Sequence, residues 1–393
     1  MRSILKLVFG NLLVLAGLWL GVLLLLSVGI DLYDLARSLV GKTYKRAEVA
    51  AYTDHARAQQ IHVDQKDSIK TYAPFIEWRQ SGKASETLNI GPDGYRTHRI
   101  GRDAGPEAPE IGFFGGSTVW GTGVDDDGTI PAQFDDLTTG VRVANYGERG
   151  FSTMQNLIEL MTLMNRDVAP KTVVFYEGFN DVWVHCNRAV TDRLNSHTEE
   201  RRLQAAIDRS DDENFAWNNL VAPMITMIGR LIDVDDRKSL PGCSADPVRA
   251  EAVAEMMMRN WEMAERLVTG YGGTFRLVLQ PTAFTGKPRV DHLDLSDPRD
   301  RALGVELNTI YPIVRKKLAE RAAAWSTDLT DALDGDGMLL IDHVHLATPG
   351  NRLIAQKIKA ALDGSQAAAA QPEERTGAAD RAARPAGSDE PGR

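Results

Sequence analysis

The chain has 393 residues, of which 43% are hydrophobic and 25% are charged, and its formal net charge is −9. These proportions are typical of a globular protein with a core of ordinary size, and the acidic balance without a basic stripe predicts no nucleic-acid partner. The two cysteines, Cys186 and Cys243, do not form a CxxC pair, so neither a zinc site nor a thioredoxin motif is expected.

The N-terminal segment is strongly apolar. Residues 7–30 are interrupted only by Asn11 and Ser27, and as a helix this run would be about 36 Å long, enough to cross a hydrocarbon core of about 30 Å. We therefore interpret residues 1–30 as a transmembrane anchor. One alternative is a cleaved signal peptide, for which Ser27-Val28-Gly29 is a passable site, although the apolar run is longer than usual for one. A buried helix of a soluble domain is the other.

The charges around this segment do not fix its orientation. Arg2 and Lys6 precede the apolar run, and several basic residues follow it within residues 37–46, so the positive-inside rule does not decide the topology. We expect the large domain on the extracytoplasmic (periplasmic) side, because a lone N-terminal anchor commonly acts as a signal anchor. In that oxidising compartment Cys186 and Cys243 can pair; two unrelated buried cysteines are the alternative.

Residues 31–108 are predicted to connect the anchor to the main domain. Residues 31 to about 70 are polar, charged and compatible with helix, as in a juxtamembrane stalk. Pro92-Asp93-Gly94 lies between two short strand-like runs, which predicts a β-hairpin. The stretch 101–108 is rich in proline and glycine and marks the joint before the main domain.

The main domain, residues 109–364, alternates short apolar runs with helix-compatible segments. This alternation predicts βαβ units and a parallel sheet with helices on both faces. The predicted strands are 111–114, 141–146, 172–176, 275–279 and 327–329. A mostly helical insertion is expected at about 186–270, and the Ala- and Pro-rich residues 365–393 are expected to be a disordered tail.

Ligand sites in parallel α/β sheets lie beyond the carboxyl ends of the strands. Three predicted strands here are followed by residues that could act as a nucleophile or as donors to an oxyanion. The first ends in Gly115-Gly116-Ser117, where a serine at a tight corner can act as a nucleophile if a base is near. Gly147 and Gly150 follow the second strand, and Asn180 follows the third; both places suit donors to an oxyanion. Taken singly, each motif is also explained by a capping loop or an ordinary turn.

The closing loop carries Asp342 and His345, three residues apart. The carboxylate can orient the imidazole and stabilise its protonated form, which leaves the other ring nitrogen for a serine. A metal site and surface histidines are the alternatives. A zinc site would need a third ligand, and no HExxH or matching cluster is present, so no metal is predicted.

Together these motifs resemble the SGNH hydrolase superfamily, whose sequence blocks centre on Ser, Gly, Asn and His. The matching blocks are Gly115–Thr118, Gly147–Gly150, Gly178–Asp181 and Asp342–His345, within a similarity that spans about 110–362. The first block departs from the common Gly-Asp-Ser form because Gly116 replaces the aspartate. That aspartate is not the nucleophile, so the departure weakens an assignment to the classical GDSL esterases rather than the activity itself.

The resemblance implies an α/β fold, a three-layer α/β/α sandwich around a mostly parallel, flavodoxin-like five-stranded sheet. It also implies acyl transfer to water or to a hydroxyl, with no cofactor. Carried over by residue, Ser117 is the nucleophile, His345 the general base and Asp342 its orienting partner. The backbone N–H groups of Ser117 and Gly150 and the side chain of Asn180 form the oxyanion hole.

Three functions are compatible with the sequence. The leading one is a serine-dependent ester hydrolase or O-acyl (acetyl) transfer enzyme acting on an acylated small molecule, an envelope glycan or a lipid at the membrane. The second is a non-catalytic SGNH-like module that binds glycan or supports an assembly. The third is a phosphate-handling enzyme with a metal on Asp125-Asp126-Asp127, although such an acidic run is more often a solvated helix start. No substrate-binding residue is predicted.

Overall fold

The structure, a computed structural model, describes residues 44–97, 110–138, 141–187, 193–196 and 242–370, together with scattered helical positions between 10 and 22. Within this described part, no helix is long and apolar enough to cross a membrane. Most of the predicted anchor, most of the insertion before residue 242 and residues 371–393 lie outside the described residues. The anchor and the tail therefore stay predictions.

A five-stranded sheet forms the centre of the main domain. All its neighbouring strands run parallel, in the order β6-β5-β7-β8-β9, which is the flavodoxin-like order. The described strands are β1 (Lys70–Ala73), β2 (Glu77–Gln80), β3 (Lys83–Ala84), β4 (Asn89–Ile90), β5 (Ile111–Gly115), β6 (Val143–Asn145), β7 (Thr172–Glu177), β8 (Thr274–Leu279) and β9 (Ser326–Asp328). The structure confirms the predicted α/β class with five parallel strands.

Helices cover both faces of this sheet. The described helices are α1 (His55–Lys66), α2 (Ser117–Trp120), α3 (Ile130–Asp136), α4 (Thr153–Asn165), α5 (Phe179–His185), α6 (Pro247–Gly270), α7 (Pro298–Glu320) and α8 (Thr348–Ala370). Helix α8 continues past residue 365, where the tail was predicted to begin, because its last residues are alanines, the strongest helix formers.

The strand side chains alternate between two apolar cores, as the pleat of a strand requires. Phe114, Phe175 and Leu277 pack in one core with residues of α4, α6 and α7. Their neighbours Phe113 and Val174 pack in the other core with residues of α3 and α8. The three central strands β5, β7 and β8 are thus buried on both faces, which explains why they are nearly continuous apolar runs in the sequence.

Residues 44–97, which the sequence assigns to a stalk and hairpin, pack against the main domain. The Tyr52 hydroxyl donates to the carbonyl of Gly123 at 2.8 Å. The Gln65 side chain accepts from the Gly123 N–H at 2.8 Å and donates to the Val124 carbonyl at 2.8 Å. The buried Gln65 looks like a surface residue in the sequence, because only its partners far along the chain make its burial favourable.

Two small hairpins lie in this region. Strands β3 and β4 pair antiparallel, and the predicted turn at Pro92–Gly94 follows them, closed by a single bridge between Ile90 and Arg96. A second ladder joins β1 to β2 and was not predicted. Lys70, Thr71 and Tyr72 in β1 are exposed, so β1 carries no alternation of apolar and polar residues to detect.

Cys186 and Cys243 form a disulfide bond. Of the two alternatives that the sequence leaves open, the structure has the bridge. It joins the residue after α5 to the short turn before α6 and closes a loop whose ends are 57 positions apart. In the chain-entropy model, closing a loop of this length contributes about 4 kcal/mol to the free energy of unfolding.

Candidate active site

Ser117 lies at the corner between β5 and α2, where the chain leaves the carboxyl end of the sheet. The two preceding glycines allow this corner to be tight. A Cβ on Gly115 would lie 2.5 Å from the carbonyl oxygen of Tyr176 in the neighbouring strand, and a Cβ on Gly116 would lie 2.1 Å from Nδ2 of Asn180. Ser117 itself is only partly buried, so its hydroxyl is accessible to a ligand.

The strand order explains why this corner forms a crevice. The chain passes from β5 to β6 on one side and then returns to β7 on the other side of β5. The loops after β5 and β7 therefore diverge, and ligands bind at such a switch point in open α/β sheets. Ser117 follows β5 and Asn180 follows β7, so both predicted residues lie at this crevice.

The structure brings Ser117, His345 and Asp342 into one chain of hydrogen bonds. The Ser117 Oγ lies 2.8 Å from Nε2 of His345, across 228 positions of sequence. The Nδ1 of the same ring donates to Asp342, 2.8 Å from Oδ2 and 3.0 Å from Oδ1. With the ring proton on Nδ1, Nε2 is an acceptor for the serine proton, which is the arrangement that activates a hydroxyl.

Asp342 is held as a buried carboxylate. Its Oδ1 accepts the backbone N–H groups of Val344 at 2.9 Å and His345 at 2.8 Å, and Nη1 of Arg46 lies 3.3 Å from Oδ2. Burial disfavours the charged form, but the charge and hydrogen bond of His345, together with Arg46, outweigh it and hold the pKa of Asp342 well below its usual range. The carboxylate is therefore ionised at neutral pH and can stabilise an imidazolium.

Three N–H groups around Ser117 have no protein acceptor among the described residues. The Asn180 Nδ2 donates one hydrogen to the Phe151 carbonyl at 2.7 Å, which leaves its second hydrogen without a partner. The backbone N–H groups of Ser117 and Gly150 likewise donate to no described protein group. Unsatisfied donors beside an accessible hydroxyl are what an oxyanion site requires, since they must bond to the substrate.

A buried carboxylate shapes the turn that carries Gly150. Glu148 is fully buried, and it accepts the backbone N–H of Gln80 at 3.0 Å and that of Arg149 at 2.7 Å. The Trp78 Nε1 donates to the Arg149 carbonyl at 3.1 Å. Gly150 then takes a φ of +89°, which favours glycine. The β2 residues thus fix the direction in which the Gly150 N–H points.

The sequence did not identify Arg46, Gln80 and Trp78 as neighbours of the site. They belong to the segment interpreted as stalk and hairpin, and a charged residue near an apolar anchor is ordinarily read as a topology signal. Glu148 lies within the predicted block Gly147–Gly150, so the sequence indicated that it is near the site but not that it shapes the turn. No local pattern links these residues, because each contacts the site through the tertiary fold.

Several other polar and aromatic residues near the motifs have different roles. His343 pairs with Asp300 at 3.2 Å and stacks on Phe179, away from the Ser117 hydroxyl. Trp120 is fully buried, and Trp183 is 40% exposed. Of the acidic run 125–127, Asp126 is largely buried and pairs with Arg96 at 2.8 Å, so the acidic run helps to hold the fold together.

A scan against protein-family models and a search of curated proteins gave no match. Among solved structures, the chain is similar to a lipolytic protein of the G-D-S-L family from Veillonella parvula, with 14% identity and a TM-score of 0.35 over 64% of this chain and 96% of that one. It is also similar to a carbohydrate acetylesterase family member from Sinorhizobium meliloti, with 15% identity and a TM-score of 0.34 over 65% and 98%. An acetylxylan esterase from Geobacillus stearothermophilus gives 15% identity and a TM-score of 0.33 over 65% and 94%.

Proposed function

We propose that this chain is a serine-dependent ester hydrolase or O-acyl transfer enzyme of the SGNH type. The observation that carries the proposal is the continuous hydrogen-bond chain from Ser117 Oγ through His345 to Asp342, with both links at 2.8 Å. A serine, an imidazole and a carboxylate in this order form the arrangement that acyl-transfer enzymes use on unrelated folds.

Each group has a defined part in the reaction. The Ser117 oxygen attacks the ester carbonyl while Nε2 of His345 takes its proton, and the resulting imidazolium is stabilised by the Asp342 carboxylate. The same imidazolium then protonates the leaving alcohol, which releases it and leaves an acyl group on Ser117. Water or a sugar hydroxyl then attacks this acyl group while His345 takes its proton. The bond between the acyl carbon and the Ser117 oxygen breaks, the imidazolium returns the proton to that oxygen, and the acid or the new ester is released.

The oxyanion of the tetrahedral intermediate is assigned to the three unsatisfied donors. These are the backbone N–H groups of Ser117 and Gly150 and the second N–H of the Asn180 side chain. All three are neutral, and two are fixed by the backbone, so little reorganisation is needed when charge develops on the carbonyl oxygen. The carboxamide of Asn180 is held in place by its bond to Phe151.

The substrate is assigned to an acylated envelope glycan or lipid, and the domain to the extracytoplasmic side of a membrane. The apolar segment 7–30 supports the anchor, and its described side chains Leu18 and Trp19 are 63% and 61% exposed, so the described part of the fold does not bury them. The Cys186–Cys243 disulfide supports an oxidising compartment.

A fluorophosphonate probe tests the nucleophile. We expect the full-length wild-type chain to be labelled covalently at Ser117, because the probe reports a serine activated by a general base. Peptide mass spectrometry identifies the modified residue. The Ser117→Ala variant should not be labelled, whereas Ser296→Ala, which removes an exposed serine that bonds to Asp294, should be labelled like wild type. Equal labelling of wild type and Ser117→Ala would refute the proposed nucleophile.

Gly116→Ala is expected to lower kcat on an acetyl ester by about 10²–10³-fold, the usual cost of losing one oxyanion donor. Its Cβ would lie 2.1 Å from Nδ2 of Asn180, so the amide must move. Steady-state kinetics of acetate release measure the effect. In the control Gly270→Ala the new Cβ has no atom within 4 Å, and kcat should stay unchanged. Unaltered turnover in Gly116→Ala would show that Asn180 does not hold the oxyanion.

A further inference from the structure

A cavity of about 440 Å³ adjoins the site and is lined by the segment after the predicted anchor. Tyr44, Arg46 and Lys66 contribute from this segment, and Thr122 and Arg149 contribute from the main domain. Its volume is in the range of small-molecule sites.

Three of the lining residues connect this cavity to the reacting groups. Arg46 contacts the Asp342 carboxylate at 3.3 Å. Thr122 donates its backbone N–H to the Ser117 carbonyl at 2.9 Å, and Arg149 immediately precedes Gly150. The cavity is therefore linked through its lining residues to Asp342, to the backbone of Ser117 and to the turn that carries Gly150.

The lining of this cavity is strongly cationic. It holds Lys45, Arg46, Lys66 and Arg149, and none of the described residues that line it is acidic. Within the described ranges, the Arg46 guanidinium pairs with a carboxylate, whereas neither lysine ammonium nor the Arg149 guanidinium has a carboxylate oxygen within 4 Å. In a chain whose net charge is −9, such a concentration of positive charge requires an explanation beyond solubility.

The surroundings of Arg149 favour the binding of an anion. Burial lowers the pKa of this guanidinium, as do the charges of Arg46 and Arg96, and only Glu148 opposes them. Its Nη1 donates to the Gln65 carbonyl at 3.1 Å and its guanidinium stacks over Trp120. His62, which also lines the cavity, is kept neutral: burial and Arg46 lower its pKa to about 4.

We infer that the molecule carrying the scissile ester bears an anionic group, a carboxylate or a phosphate, which binds in this cavity. The inference rests on the proposed function and narrows its substrate class from any acylated glycan or lipid to an acidic one, such as an acetylated sugar acid or sugar phosphate. The lysines and Arg149 bind the anion, and Arg46 is shared between the anion and Asp342. Opposite charges a few ångströms apart in this half-exposed place favour the acidic substrate over a neutral one.

The test compares matched substrates with the full-length chain. Methyl galactoside, its 6-phosphate and methyl galacturonoside, each acetylated at the same hydroxyl, are assayed for acetate release. We expect kcat/KM for one acidic substrate to exceed that for the neutral one by about tenfold at low salt, and the two acidic arms show whether carboxylate or phosphate is preferred. Raising the ionic strength to about 1 M should reduce this preference, because the charges are then screened over about 3 Å.

Two double variants locate the effect. Lys45→Gln with Lys66→Gln should remove most of the preference, measured as the ratio of kcat/KM for the acidic ester to kcat/KM for the neutral ester. Lys316→Gln with Lys357→Gln removes the same total charge from α7 and α8 and should leave the preference intact. Equal kcat/KM for neutral and acidic substrates in the wild type, or a preference that survives the loss of both cavity lysines, would overturn the inference.

A binding measurement separates this inference from the proposed function. In Ser117→Ala, calorimetric titration with deacetylated methyl galacturonoside and galactose 6-phosphate should show binding that the Lys45→Gln, Lys66→Gln double variant weakens about tenfold and that neutral methyl galactoside does not show. If no ester is hydrolysed and the fluorophosphonate does not label Ser117, the proposed function fails. The titration still shows whether the cavity binds an anionic sugar. Absence of binding by both acidic sugars would overturn the inference even where neutral esters are hydrolysed.

Discussion

Asp342→Asn is expected to lower kcat for ester hydrolysis by about 10⁴-fold while leaving the fold intact. Asparagine has the same shape as aspartate, and its oxygen can still accept the two backbone N–H groups that Oδ1 accepts in the wild type. The amide nitrogen would then face Nδ1 of His345, where a carboxylate oxygen now lies at 2.8 Å. A donor in that place forces the ring proton onto Nε2.

The changed tautomer is what removes activity. With its proton on Nε2, His345 donates toward Ser117 instead of accepting the serine proton, so the general base is lost although all three side chains remain in place. The imidazolium would also lack a neighbouring negative charge. Because the pKa of Asp342 is low, the wild-type carboxylate does not itself take up a proton near neutral pH. Its role in the proposed mechanism is therefore to orient and stabilise the imidazolium.

Steady-state kinetics with an acetyl ester measure this loss, and circular dichroism verifies folding. His343→Gln is the matched control: it lies one residue away in the same loop but pairs with Asp300 and stacks on Phe179, so kcat should change by no more than a few-fold. If Asp342→Asn retained a tenth or more of the wild-type kcat, His345 would not depend on Asp342 for its tautomer.

The sheet could be predicted because its signal is local. Buried parallel strands are short apolar runs separated by helices, so the central strands β5, β7 and β8 were placed within one residue of their ends. The edge strands β6 and β9 are less buried, and they were placed within two residues of their ends. The positions of Ser117 and Asn180 follow from the same signal, because the carboxyl ends of parallel strands meet at one edge. The Asp342–His345 loop was predicted instead from the spacing of its two residues and from the family resemblance.

The role of residues 44–97 could not be predicted, because it depends on contacts between distant parts of the chain. Gln65 is a polar helix residue in the sequence and a buried one in the fold, where its side chain bonds to backbone groups 56 to 59 positions away. Arg46 contacts Asp342, although nearly the whole main domain separates the two residues in the sequence. Periodicity reports burial only when the buried residues are apolar, and here the buried residues are paired polar ones.

Arg96→Ala is expected to lower the free energy of unfolding by about 3–5 kcal/mol, the usual cost of removing one partner of a buried ion pair. The Arg96 side chain is fully buried, and its Nε donates to Asp126 at 2.8 Å. Its other nitrogens donate to the carbonyls of Trp120, Gly121 and Val124 at 2.7–2.9 Å. Alanine would leave a carboxylate with little access to water and several carbonyls without their donor.

This loss should also reach the reacting groups. Trp120 and Gly121 follow Ser117 by one turn of chain, and Gly121 donates its N–H to the Ser117 carbonyl at 2.9 Å. Arg96 therefore ties the end of α2, and with it the serine corner, to the segment that packs over the sheet. A variant that is still folded at low temperature should show a lower kcat, because Ser117 is held less firmly within reach of His345.

Urea unfolding followed by circular dichroism measures the stability. The control is Arg299→Ala, since Arg299 is 91% exposed and its bond to Asp297 is a surface ion pair, which typically contributes less than about 1 kcal/mol. Arg96→Lys separates charge from geometry: lysine keeps the positive charge but cannot reach Asp126 and three carbonyls from one planar group, so it should restore only part of the stability. Full restoration by lysine would mean that charge alone holds this corner, and a loss no greater than that of Arg299→Ala would mean that the buried arginine does not support it.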